Sequence, residues 1–130
     1  MKRIILIIVC SLALLGVVAF TTLRTWMEQS VKSNIELAKA QYPGIAEDAL
    51  IAFLTDTNQT VNNRTHIAIW TLGQIRSEKA LPLLKALYKD DPKGETCFGR
   101  HDSLLCQYEI YKAIQAIEKR GLFSFAKLNR

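Results

Sequence analysis

Apolar residues are distributed along this chain in two ways. Residues 4–20 include no charged side chain, and Thr21, Thr22 and Leu23 extend the uncharged stretch to Arg24. As a helix these roughly 20 residues would extend about 30 Å, the thickness of a bilayer core. A soluble surface helix carries one apolar stripe and is not apolar all round. Trp26 follows, where an amphipathic ring suits the headgroup level. Beyond it, apolar residues recur every three or four positions, the spacing of amphipathic helices.

Val31, Ile35, Ala38 and Tyr42 predict a helix over residues 26–42, and no proline separates it from the apolar stretch. Pro43-Gly44 is the turn that ends it. Ala46, Ala49, Leu50, Phe53 and Leu54 predict the next helix, and the polar residues 55–63 a loop. Val61, Ala68, Leu72 and Ile75 share one face of a third helix, with Ile67 and Thr71 beside them. Ser77 is suited to cap a fourth, which carries Ala80, Leu81, Leu84, Leu87 and Tyr88 and stops at Lys89-Asp90-Asp91-Pro92. Asp102 or Ser103 is the expected cap of a last helix with Cys106, Ile110, Ala113, Ile114 and Ile117 inward, and Gly121 its end. Leu122, Phe123, Phe125 and Leu128 form an apolar tail expected to fold back over the open end. No segment alternates with period two, so the expected fold class is all-α.

Residues 65–91 read THIAIWTLGQIRSEKALPLLKALYKDD. Ala68, Leu72, Gly73, Ile75, Ala80, Leu81, Pro82 and Leu84 follow, in order, the pattern of a HEAT repeat of the short bacterial, phycobilisome-lyase-like type, which this segment resembles. Small Ala and Gly let paired helices approach, and Pro82 sits early in the second helix, where a missing N–H matters least. ALIAFLTD at 49–56 resembles the second helix of a preceding unit, and IYKAIQAIE at 110–118 the first helix of a following one. The resemblance covers roughly residues 45–119, in units of about 40 residues. With the apolar stretch at 1–23 read as a membrane or signal segment, it implies a short α-solenoid of HEAT-like hairpins at 24–130. Two departures stand out. Arg64 lies one residue earlier than the arginine that often opens such repeats, and Gln107 occupies the matching position of the last unit. The connection over residues 89–102 is also longer than a repeat needs, and long loops are often functional.

Two readings of the leader stay open. It is an uncleaved signal anchor, which its length favours, or a signal peptide cut after Ala19, where Val17 and Ala19 supply the small residues. Cys10 follows Val9 within an apolar stretch that continues well past it, which disfavours a lipoprotein cysteine. Positive charges flank both ends, and the signal-like position places residues 24–130 on the periplasmic or extracellular side, or outside the cell if the leader is removed. In an oxidising compartment Cys97 and Cys106 are a candidate disulfide; free thiols and a metal site are the alternatives. Cys97, His101 and Cys106 follow no usual zinc spacing, so neither a metal nor another cofactor is expected.

The 130 residues carry a net charge of +5, enough to favour anionic partners or an anionic lipid surface. The Lys and Arg residues are dispersed with no run of five, so nucleic acid is not expected. There is no Gly-rich phosphate loop, no GxSxG and no HExxH, and Asp90-Asp91 beside Pro92 read as turn residues. His66 reads as a surface residue. The sequons Asn58-Gln59-Thr60 and Asn63-Arg64-Thr65 matter only in a glycosylating host. Trp70, Tyr88, Tyr108 and Tyr111 are candidate protein-binding residues, because Trp and Tyr commonly anchor interfaces; at helical spacing such residues are more often packing between repeats. The expected function is a membrane-tethered module for protein–protein interaction or scaffolding, reaching lipid through residues 4–23. The alternative, implied by the resemblance alone, is a lyase or lyase subunit; a third is a structural domain within a larger membrane complex.

Overall fold

The computed structural model describes residues 2–100, 103–119 and 125–129. The expectations placed on His101, Asp102, Gly121, Leu122 and Phe123 lie outside these. The chain divides into two compact units, Met1–Ser30 and Val31–Arg130. Among the described residues every regular element is helical.

The first unit is the N-terminal part of α1 (Lys2–Gln41). Its most apolar 18-residue window has a mean hydropathy of 2.9 and none of it is buried, so this helix is long and apolar enough to cross a membrane. Its threonine side chains find partners within the helix. Thr21, Thr22 and Thr25 donate to the carbonyls of Val17, Val18 and Thr21 at 3.0, 2.8 and 2.9 Å. A hydroxyl satisfied one turn back needs no water, which suits it to an apolar medium.

The second unit begins with the C-terminal part of α1, where Val31, Ile35 and Ala38 are buried. Gly44, at φ +126°, turns the chain into α2 (Ala46–Thr55). Glu47 and Asp48 occupy the first turn of α2, where carboxylates complement the helix dipole. Ala46, Ala49, Leu50, Phe53 and Leu54 form its buried stripe, and Tyr42 meets Phe53 edge-on at 5.8 Å. The polar loop expected over 55–63 is shorter than that, because Thr55 is still helical and the Thr60 side chain accepts from the Asn63 N–H at 3.2 Å, opening α3 (Val61–Asn63).

A uniform α-helix was expected over residues 61–75. Instead α3 passes into a π-helical segment (Arg64–Ile69) before α4 (Trp70–Ile75). Widening the hydrogen-bond ring accommodates one extra residue within the helix. It leaves the Thr65 hydroxyl buried without a hydrogen-bond partner. α4 ends in a Schellman motif: Ser77 N–H donates to Leu72 O at 3.0 Å and Arg76 N–H to Gly73 O at 3.2 Å, with Arg76 left-handed at φ 55°.

Ser77 also opens the turn into α5 (Leu81–Leu87), accepting the Ala80 N–H on its Oγ at 3.1 Å, and its hydroxyl donates to the carboxylate of Glu47. Lys79 pairs with Asp48 across the same junction. α6 (Gln107–Glu118) packs on both α4 and α5, and α2 on the π segment and α4. The expected cap Ser103 is not used. Its N–H and hydroxyl both turn back to Arg100 O, and α6 starts after Cys106. The tail does fold back: Phe125 is buried, its N–H donating to Gln74 O at 3.1 Å, ahead of a final turn (Ala126–Asn129) that packs on α4 and α2.

Candidate functional site

α4 and α6 cross where neither presents a large side chain. A Cβ on Gly73 would lie 2.9 Å from Ala113 Cα and 3.1 Å from Ala113 Cβ, so the backbones meet with only hydrogen between them. Close approach of two helix axes opens a groove beside the crossing, of about 240 Å³. Gly73, Ala113 and Ala116 line it with Trp70, Gln74 and Tyr111. Glu109 and Lys112, paired at 3.5 Å, add charge of both signs.

The four aromatic candidates divide here. Trp70 and Tyr111 line this groove. Tyr88 stacks on Tyr111 at 6.0 Å between ring centroids and is half-buried; that burial, and the nearby Asp90 and Asp91 carboxylates, raise its phenol above the ordinary value. Tyr108 does not line the groove. Its ring is exposed, with Lys112 Nζ 5.0 Å from the centroid, a cation–π contact.

Two side chains tie successive helix pairs together. Arg64 Nε donates to Leu54 O near the end of α2 at 2.7 Å. Gln107, buried at the start of α6, accepts the Lys89 N–H at 2.7 Å and donates to Leu87 O at the end of α5 at 3.4 Å. Each thus satisfies backbone groups that a helix C-terminus leaves open. The π segment accounts for the displaced arginine: one extra residue between Arg64 and Ala68 keeps Arg64 over Leu54 while Ala68 onward holds its register.

The long connection is ordered by its own polar groups. Asp91 accepts the Glu95 and Thr96 N–H groups at 3.0 and 2.9 Å and the Thr96 hydroxyl at 2.7 Å. The Thr96 hydroxyl, then the backbone donors, hold the Asp91 carboxyl below its usual range. Asp91 is therefore a turn residue, as expected, and Asp90 is exposed at φ 54°. Gly94 sits at φ +68° with no room for a Cβ, which would meet Tyr108 Cβ at 2.9 Å and Cys97 Sγ at 3.0 Å. Cys97 and Cys106 are both buried, their sulfurs 2.8 Å apart. Phe98, beside them, is 86% exposed, an aromatic that sequence reasoning did not single out. The signal available was an aromatic flanked by Cys97 and Gly99 in a connection otherwise rich in charge.

Among the described residues no three His, Cys, Asp or Glu side chains gather as metal ligands; His66 is exposed.

Among the described residues the unit is all-helical, and Arg64 and Gln107 each join one helix to the end of the helix before it. The family model for the PBS lyase HEAT-like repeat matches residues 66–90, so the chain carries a HEAT-like repeat there. No curated protein and no solved structure matches the chain.

Proposed function

We propose that this protein is a membrane-tethered helical-repeat module on the extracytoplasmic side, whose α4–α6 groove receives side chains of a protein partner. The observation that carries this reading is the groove's size and lining. About 240 Å³ is smaller than the roughly 300–1,000 Å³ usual for small-molecule and cofactor sites. It is suited to one or two anchoring side chains, with Trp70 and Tyr111 as rigid walls and Glu109 and Lys112 as polar contacts. The apolar part of α1 supplies the tether. The lyase reading rests on the name of the repeat family alone, and a shared fold is poor evidence of shared chemistry.

Site-specific photo-crosslinking in cells tests this. A crosslinker at Gln74 or Lys112 is expected to give an adduct of one defined mass, absent from the exposed position Glu78 and lost on Trp70→Ala with helicity unchanged. The adduct should persist when residues 1–23 are exchanged for a cleavable signal peptide. Equal adducts from Glu78, or none from the groove, overturn the reading.

A further inference from the structure

Cys97 and Cys106 bracket the second half of the connection between α5 and α6, the least repeat-like part of the chain. Cys97 closes a 3₁₀ turn (Glu95–Cys97) and Cys106 is the residue before α6. Cys97 is 1% exposed and Cys106 6%, unlike Cys10, which lies on the exposed face of α1. The two sulfurs approach to 2.8 Å, against about 2.05 Å in a disulfide, so bond formation needs them to close by only about 0.8 Å. The surroundings hold them there. Gly94 leaves space for Cys97 Sγ, and the Gly94 carbonyl lies 3.1 Å from it. Asp91 fixes the preceding turn, and Gln107, next to Cys106, is anchored to Lys89 and Leu87. Both ends of the segment are therefore positioned before any covalent bond is made.

We propose that Cys97 and Cys106 form an intrachain disulfide in the mature protein, fastening the 89–104 connection to the start of α6 and holding Phe98 outward. The proposal rests on the extracytoplasmic placement given above. The oxidant is a disulfide-bearing thiol oxidoreductase. One thiolate attacks the oxidant's disulfide, giving a mixed disulfide and expelling one oxidant thiol. The second thiolate attacks the sulfur on this chain, forming the Sγ–Sγ bond and expelling the other. Two thiols of this protein are oxidised, one disulfide of the oxidant is reduced, and the two protons end on the oxidant. Burial pushes the Cys106 thiol up, which protects the reduced form from adventitious oxidation and leaves the exchange to a catalyst.

The test is alkylation of the full chain, acid-quenched in cells, denatured without reductant and weighed. The expected result is one labelled thiol, Cys10, rising to three after reduction. Cys97→Ser and Cys106→Ser should each show two without reductant. Three labelled thiols in the unreduced wild type, a disulfide-linked dimer, or zinc released on denaturation overturns the proposal. A membrane-impermeant amine label on intact cells, read on lysines of residues 31–130, locates the domain in parallel. Three thiols with the lysines labelled refute the disulfide alone. Three thiols with the lysines protected refute the placement as well.

Discussion

Gly73→Ala adds one methyl group at the α4–α6 crossing, and its cost follows from two opposing terms. Alanine is favoured over glycine in a helix by about 1 kcal/mol. Against that, the new Cβ would lie 2.9 Å from Ala113 Cα and 3.1 Å from Ala113 Cβ. The first of these is backbone, which has no rotamer by which to withdraw, so α6 itself must move. Overpacking of this kind costs ~1–3 kcal/mol, and collision with a backbone atom places Gly73 at the upper end. The net expectation is a loss of about 2 kcal/mol, near a 30-fold change in the folding equilibrium. The assay is denaturant unfolding of the full chain in micelles, followed by near-ultraviolet circular dichroism, which reports the packed aromatics and not the apolar helix. The midpoint should fall while the slope stays unchanged. Ala113→Gly in the Gly73→Ala background should restore only part of the loss, because the clash with the α6 backbone remains. Gly16→Ala, with nothing within 4 Å of the new atom, serves as the control and should not lower the midpoint. A Gly73→Ala midpoint equal to or above wild type refutes the close-approach reading of the crossing.

Thr65→Val should be neutral or stabilising by about 1 kcal/mol in the same assay, because it removes a buried hydroxyl that has no partner. Leu50→Ala and Phe53→Ala should each cost about 2–5 kcal/mol, as both side chains are fully buried. The proposed disulfide closes a short loop, so oxidised wild type should exceed the reduced form by about 2.7 kcal/mol in the entropy model, and Cys97→Ser should abolish the difference. Asp91 has a folded pKa below its unfolded value of 3.8, so its contribution is present above that pH and is lost as pH falls through the folded value. The Thr96 amide should accordingly lose hydrogen-exchange protection only as pH falls below 3.8, and Asp91→Asn should flatten that dependence.

The all-α class was legible because the stripes in α2 and α6 are regular: Ala46, Ala49, Leu50, Phe53 and Leu54 are all buried, as are Ile110, Ala113 and Ile114. The Leu72-Gly73 and Ala80-Leu81-Pro82 pattern located the repeat because it encodes a physical requirement, the close approach at Gly73. Less visible were features decided by tertiary contacts. The π segment has no compositional mark; Arg64, one residue out of place, was its only trace. Ser103 and Ser77 are both plausible caps by residue type. Ser77 accepts the Ala80 N–H in the turn ahead of α5, whose N-cap position is Ala80 with no side-chain bond, and Ser103 is drawn back to Arg100. Of the aromatic candidates, spacing alone could not separate Tyr111, in the groove, from Tyr108, whose ring faces solvent. Phe98 was overlooked for the opposite reason: an isolated aromatic in a charged connection has no periodicity to draw attention to it.

The extra residue inside the π segment bears on how such repeats change length in evolution. Insertions are ordinarily expected in loops, where nothing downstream has to rotate. Here one residue is housed within a helix, and the elements on both sides keep their places: Arg64 stays on Leu54, and Ala68, Ile69 and Leu72 stay in the core. Deleting it now would turn Arg64 by about 100° around the helix axis and leave the Leu54 carbonyl without its donor. The contacts on both sides of the widened turn therefore depend on keeping that residue. The match to the repeat family begins at residue 66, just past Arg64 and within the widened turn.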